Sequence, residues 1–246
     1  MLAFTLVLCI IVNNIITNHG DKIDYATRTI PSDDEWTDDD RRQCESPRPL
    51  NNTLSCYTHV LFYERLNTEL ISTEPIVVVF RDFAPYRDTE GFRNEANMIE
   101  REMLVQKYFP LAHYPPHYDY ERWDDLSERL GNRLTTLLLI AKAPLKGGAS
   151  FQAVLFPLLN KTITYKEGDL ILWMNADTKG EMEKMTLHAD CPVWEGEKVS
   201  ASLTLRFRHQ DLLRAPLKSG KFNLRKLTHP RIDFIGMTPA NVKKRR

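Results

Sequence analysis

Uninterrupted apolar runs set the outline of the chain. After Pro75 it reads Ile76-Val77-Val78-Val79-Phe80, a β-branched stretch that predicts a strand buried on both faces. Further apolar runs follow at 134–141, 153–159, 170–174 and 200–207, separated by turn signals such as Gly147-Gly148 and Glu167-Gly168-Asp169. Short strands at such intervals point to a sandwich or jelly roll rather than to alternating βαβ units. Residues 89–107 read differently: Phe92, Ala96, Ile99 and Met103 recur every three or four positions, the period of a helix. Residues 21–56 are polar, with Asp33, Asp34, Glu35, Asp38, Asp39 and Asp40 followed by Arg41 and Arg42, a composition that builds a core poorly.

The N-terminus is apolar from Leu2 to Val12 and turns polar at Asn13. That run is too short to cross a hydrocarbon core of ~30 Å as a helix. It suits the apolar centre of a secretory signal cleaved near Asn18 to Asp21, or else a buried N-terminal strand or helix. Cysteine usage favours the secretory reading. Cys44 and Cys56 enclose a loop rich in Pro, Asn and Arg and are expected to pair in an oxidising lumen, which leaves Cys191 as a buried thiol. Asn51-Asn52-Thr53 and Asn160-Lys161-Thr162 are permitted glycosylation sites.

Across its 246 residues the chain carries 33 basic and 33 acidic residues, which argues against a chain-wide binder of nucleic acid. The balance is local, however: from Arg206 onward twelve Lys and Arg face only Asp211 and Asp233. The basic end is either a solvated extension or a surface for an anionic partner.

Chemistry-bearing residues concentrate in the β-rich part. In Pro116-His117-Tyr118-Asp119-Tyr120, His117 and Asp119 are two apart, so on an extended strand both project from one face, ~6–7 Å apart. His188, in Leu187-His188-Ala189-Asp190-Cys191-Pro192, can join them if the sheet folds back. Two imidazoles and one carboxylate on one face of an octahedron leave positions open, the arrangement of non-haem Fe(II) oxygenases. Lys198 follows at the start of another strand, a cation able to meet a carboxylate across the site. His113, four before His117, lies ~13 Å away along a strand and is expected to be exposed or hydrogen-bonded, not a ligand. Trp173 and Phe207 are expected to be core aromatics.

Taken in order, Tyr114-Pro115-Pro116-His117-Tyr118-Asp119-Tyr120, Gly131-Asn132-Arg133, Gly147-Gly148-Ala149-Ser150, Lys166-Glu167-Gly168-Asp169, Leu172-Trp173-Met174-Asn175, His188-Ala189-Asp190-Cys191-Pro192 and Gly196-Glu197-Lys198 resemble the catalytic domain of prolyl 4-hydroxylases, especially animal collagen prolyl 4-hydroxylase alpha subunits. The resemblance runs from Tyr108 to about Asp211. It implies an Fe(II)- and 2-oxoglutarate-dependent dioxygenase that hydroxylates prolyl residues, with succinate and CO2 as co-products and L-ascorbate as auxiliary reductant. It implies further that His117, Asp119 and His188 hold Fe(II), that Lys198 holds the distal carboxylate of 2-oxoglutarate, and that Tyr108 and Thr136 line that pocket. A Pro-rich or collagen-like substrate, a protein disulfide isomerase subunit as partner and the endoplasmic reticulum lumen complete the implied setting.

The expected architecture is mainly β, a double-stranded β-helix or jelly roll with a helical and irregular N-terminal segment. The short interval between Phe83 and Tyr108 implies an incomplete roll. The expected divisions are a signal at 1–20, a polar segment with a Cys44–Cys56 loop at 21–75, the dioxygenase domain at 76–211 and a basic tail at 212–246. The two rival readings are a metal-binding relative with impaired catalysis and a non-enzymatic luminal protein acting through its tail.

Overall fold

The computed structural model describes residues 36–47, 56–61, 64–95, 104–120, 131–147, 153–208 and 220–224. The apolar stretch at 2–12, Cys9 and Asn51 lie outside them. In chain order the elements are α1 (Asp38–Glu45), β1 (Cys56–Leu61), β2 (Glu64–Thr73), β3 (Ile76–Arg81), α2 (Tyr86–Glu95), β4 (Leu104–Tyr108), β5 (Tyr114–His117), β6 (Arg133–Lys142), β7 (Lys146–Gly147), β8 (Ala153–Phe156), β9 (Lys161–Thr164), β10 (Leu170–Met174), β11 (His188–Asp190), β12 (Val193–Glu195) and β13 (Lys198–Arg206).

Pairing follows one rule through the middle of the chain. β4 pairs with β13, β5 with β11, β6 with β10 and β8 with β9, all antiparallel, so the chain runs out along four strands and returns along their four partners. This long double strand is rolled into two sheets of order β1-β2-β3-β10-β6-β13-β4 and β5-β11-β8-β9. Eight strands wound in this way are a jelly roll, and all eight are present. The expectation of an incomplete roll is therefore corrected. Its source is β4: the stretch read as the end of a helix is a strand, and the helix stops at Glu95 or beyond the described residues. The polar segment is also richer in structure than its composition suggested, since β1 and β2 extend the large sheet and β2 pairs directly with β3.

The alternation of side chains explains the apolar runs. On β6, Leu138 and Ile140 face the small sheet and pack with Ile71, Val77, Val79, Ile171 and Trp173 against Val154, Phe156, Ile163 and Tyr165. Leu137, Leu139 and Ala141 point the other way and join Val78, Leu170, Leu172, Ala201 and Leu203 in a second cluster, covered by Phe83, Phe92, Phe207, Phe222 and Leu224. With both faces of the central strands buried, no polar alternation is needed. Trp173 is thus a core aromatic as expected, and Phe207 packs against the outer cluster.

The turn at Lys166-Glu167-Gly168-Asp169 fastens α2 to the sheet. Glu167 accepts from Thr89 Oγ1 and Arg93 at 2.6 Å each, while Asp169, buried, accepts from Arg81 at 2.7 Å and from the backbone amides of Asp82 and Lys166. Gly168 has φ +89, and a Cβ there would meet the carbonyl oxygen of Ala84 at 2.3 Å, so no other residue fits this close approach. On the far side of the molecule, α1 closes the outer face of the small sheet. Asp38, Asp39 and Asp40, from the segment expected to build a core poorly, form its first turn: Thr37 caps the backbone amide of Asp40, and Asp40 reaches back to that of Thr37. Three aspartates there also match the positive end of the helix.

Cys44 on α1 is bonded to Cys191, with Cα atoms 5.6 Å apart, and both belong to a small core with Trp36, Ala153, Leu155 and Ala189. The expected Cys44–Cys56 pairing is overturned, and so is the view of Cys191 as a buried thiol. Cys56 is free and exposed at the start of the edge strand β1, whereas α1 lies over β8 and β9, beside Cys191 just past the end of β11. Part of the segment read as a tail is likewise packed, through Phe222 and Leu224. Asn160 is exposed, as a glycosylation site requires. Among the described residues, no helix is long and apolar enough to cross a membrane.

Two measurements check these assignments. Cys191→Ser is expected to lower the unfolding free energy by about 3 kcal/mol, whereas Cys56→Ser shifts it by no more than about 0.5 kcal/mol; the opposite pattern in urea titrations would reinstate the Cys44–Cys56 loop. Replacing Phe222 and Leu224 together by Ser should lower it by about 2 kcal/mol, where a purely solvated tail would give no change.

Candidate metal centre

β5 and β11 are neighbours in the small sheet, and their register sets His188 directly opposite His117. Their rings lie 4.3 Å apart between centroids, and Asp119, two residues beyond His117, closes the group. His117 Nε2 is 3.6 Å from Asp119 Oδ1, and His188 Nε2 is 3.7 Å from Asp119 Oδ2. One ligand atom from each of the three lies within 4.8 Å of the others.

The tautomers follow from the backbone. His117 Nδ1 is 2.8 Å from the carbonyl oxygen of Pro115 and His188 Nδ1 is 2.9 Å from that of Thr186. A carbonyl only accepts, so both Nδ1 atoms carry a proton and both Nε2 atoms are left facing Asp119. Burial lowers the pKa of His188, against the opposing charge of Asp119. For Asp119, burial acts to raise the pKa, but His188, His117 and a hydrogen bond from Thr136 outweigh it and keep the carboxyl well below the usual range. Two imidazoles and an ionised carboxylate that converge on one point form a donor set that fits a divalent ion such as Fe(II), which takes each ring through Nε2.

Thr136 was expected to line the co-substrate pocket, and the structure gives it a different contact. Its hydroxyl donates to Asp119 Oδ2 at 2.6 Å and accepts from Asn175 Nδ2 at 2.8 Å. Thr136 and Trp173 are partners across β6 and β10, so both face the interior, and the Trp173 and Phe156 rings stand 4.7 Å and 5.7 Å from that of His188. Asn175 was not singled out by sequence reasoning. Its signal was its place one residue past the apolar run of β10, where a buried amide requires a partner.

Lys198 does begin a strand, and it is 1% exposed, not solvated. Its ammonium is bonded to Asp190, and the hydroxyl of Tyr108 donates to the other oxygen of the same carboxylate at 2.8 Å. The faces of Tyr108 and Tyr165 flank the cation at 4.6 Å and 5.5 Å. Burial alone would raise the Asp190 pKa, yet Lys198 and Tyr108 hold it below the ordinary value, so the pair stands as an ion pair. Tyr108 thus lies beside Lys198. Asp190 was not foreseen as part of the site, although its position two after His188 on one strand was a usable sign. His113 is no ligand: its Nδ1 donates to the carbonyl oxygen of Leu111 at 3.3 Å and its ring meets Trp36. A cavity of about 390 Å³ opens beside Pro75, Met174 and Phe222, but it shares no residue with this group.

No protein-family model matches the chain. It is 30% identical over 132 residues to prolyl 4-hydroxylase subunit alpha-2 of Caenorhabditis elegans, covering 52% of this chain and 24% of that protein. Against prolyl 4-hydroxylase subunit alpha-1 of Bos taurus it is 34% identical over 117 residues, 46% of this chain and 21% of that protein. The chain is similar to prolyl 4-hydroxylase alpha subunits. The match spans under a quarter of the length of those two relatives. Among solved structures, the viral collagen prolyl hydroxylase of Paramecium Bursaria Chlorella virus-1, in its 2OG complex, is 31% identical with a TM-score of 0.35, over 48% of this chain and 67% of that one. A Pseudomonas putida prolyl-4-hydroxylase is 20% identical with a TM-score of 0.31, over 50% and 64%.

The contact between Thr136 and Asp119 has a measurable effect. Thr136→Val should weaken binding of Mn(II) or Fe(II) by about 10- to 100-fold while leaving the fold intact, because a carboxylate ligand loses its orienting hydrogen bond. Anaerobic metal titration checks this, and an unchanged affinity would give the hydroxyl a packing role alone.

Proposed function

We propose that this chain is an iron- and 2-oxoglutarate-dependent dioxygenase that hydroxylates prolyl residues of a Pro-rich or collagen-like polypeptide to 4-hydroxyproline, releasing succinate and CO2. The observation that carries the reading is the convergence of His117, Asp119 and His188 on one point inside a jelly roll, with both Nδ1 atoms held by backbone carbonyls and both Nε2 atoms turned toward Asp119. The similarity to prolyl 4-hydroxylase alpha subunits supports the choice of substrate class.

In this reading His117, Asp119 and His188 hold Fe(II), and Lys198 with Tyr108 faces the distal carboxylate of 2-oxoglutarate. Iron and 2-oxoglutarate, when bound, supply the oxidation of an unactivated C–H bond by O2. The chain supplies the arrangement. The carbonyls of Pro115 and Thr186 fix the two imidazoles, Thr136 fixes Asp119, and Phe156 and Trp173 wall off water behind His188. Three protein ligands leave further metal positions for small molecules. Tyr118, exposed between two of the ligands in sequence, offers an aromatic face to a prolyl ring. The Cys44–Cys191 bond favours an oxidising compartment, which fits the endoplasmic reticulum lumen. L-ascorbate as reductant and a protein disulfide isomerase subunit as partner belong to the same reading, through the resemblance alone.

Succinate formation from 2-oxoglutarate, with Fe(II), ascorbate and saturating co-substrate, should rise on adding a Pro-rich peptide and vanish in His188→Ala. A folded, iron-loaded chain that makes no succinate with any such peptide would overturn the reading.

A further inference from the structure

Asp190 holds the groups that the proposed reading assigns to the co-substrate. Its carboxylate takes the Lys198 ammonium on one oxygen and the Tyr108 hydroxyl on the other, with the Tyr108 and Tyr165 rings flanking the cation. We propose that Asp190 is a built-in competitor for the distal carboxylate of 2-oxoglutarate, so that this chain takes up its co-substrate only by displacing its own side chain. The inference rests on the reading of this pocket as the 2-oxoglutarate site.

Three observations carry it. The first is charge: Lys198 and Asp190 together are neutral, and a dicarboxylate entering beside them adds a negative charge to a region where both residues are buried. Like charges in such surroundings repel strongly, so Lys198 cannot satisfy both carboxylates as well as it satisfies one. The second is position: Asp190 and His188 lie two apart on β11, which places the competing carboxylate next to the proposed metal and not at the rim. The third is a vacancy in the hydrogen bonding. Ser200, two residues after Lys198 on β13, is fully buried and its hydroxyl has no hydrogen-bond partner among the described residues. A buried hydroxyl without a partner is costly, and this one is available to a carboxylate that rearranges in the pocket.

The consequence is a loss of the usual reward for a distal carboxylate. Pyruvate has the same 2-oxo acid group and no second carboxylate, so the two ligands separate the effects. Full-length chain loaded with Fe(II) under anaerobic conditions is titrated with 2-oxoglutarate and with pyruvate by calorimetry, as wild type, Asp190→Asn and Asp190→Ala, with melting temperatures for each. Wild type is expected to bind the two ligands within about tenfold of each other, whereas the Asp190 variants gain about tenfold or more for 2-oxoglutarate and little for pyruvate. Their melting temperatures, lowered by an unpaired Lys198, should recover when 2-oxoglutarate is added. Variants that bind 2-oxoglutarate no more tightly than wild type would overturn the inference. If neither variant folds, wild type decides alone, since a preference for 2-oxoglutarate well above tenfold would also overturn it. A wild-type chain that takes up no more Fe(II) than His188→Ala removes the oxygenase reading itself, whereas iron binding with unchanged co-substrate affinity removes only the role of Asp190.

Discussion

Everything at the site depends on the register between β5 and β11, which sets His188 opposite His117. Because side chains alternate along a strand, a slip of one residue would send His188 to the outer face of the small sheet and bring Ala189 inside. Several independent contacts hold that register. β11 is paired on its other edge with β8, Ala189 is packed outside with Trp36 and Leu155, and Cys191 is bonded to α1. The three convergent side chains are thus aligned mainly by apolar packing and backbone pairing on the outer face of the small sheet. Hydrogen bonds to the rings complete the orientation once the strands are in place.

The interior of the roll is divided between two kinds of surroundings. Around Trp173, Phe156, Ile163 and Ile171 it is an ordinary apolar core. Along β13 the inward positions are instead Lys198, Ser200, Ser202 and Thr204, while the outward ones are Val199, Ala201, Leu203 and Leu205. A strand that alternates with the polar residues inside inverts the ordinary rule for a sandwich, and it makes sense where the interior receives something polar. The same inversion requires that Lys198 have a counter-charge whenever that something is absent. Asp190 provides it from the neighbouring sheet, and in the proposed reading this carboxylate and that of a guest compete for one cation.

Legibility from sequence followed the physics of each element. β3, β6 and β10 were readable because central strands buried on both faces leave continuous apolar runs. β4 was not, since Leu104-Val105-Gln106-Lys107-Tyr108 fits the end of a helical period as well as an alternating strand. β2 was hidden by its composition: it mixes Glu64, Arg65, Asn67 and Glu69 with the few side chains that reach the core. His117, Asp119, His188 and Lys198 could be named through short spacings and a collinear set of motifs, because those residues come as local clusters. The Cys44–Cys191 bond and the Asp190 to Lys198 pair could not, as each is created by strands or helices meeting across the fold. No spacing along the chain encodes which cysteine α1 will lie against.

The Cys44–Cys191 bond joins residues 147 apart in sequence, and the chain between them contains His117, Asp119 and His188. While the bond is intact that span is a covalent ring. A protease that cuts any one loop inside it yields two pieces that remain a single molecule, with all three side chains retained. Such damage would be invisible on a gel run without reductant and would appear as two fragments once thiols are added. The centre is thereby guarded against single cuts by connectivity, independently of how tightly the strands around it are packed.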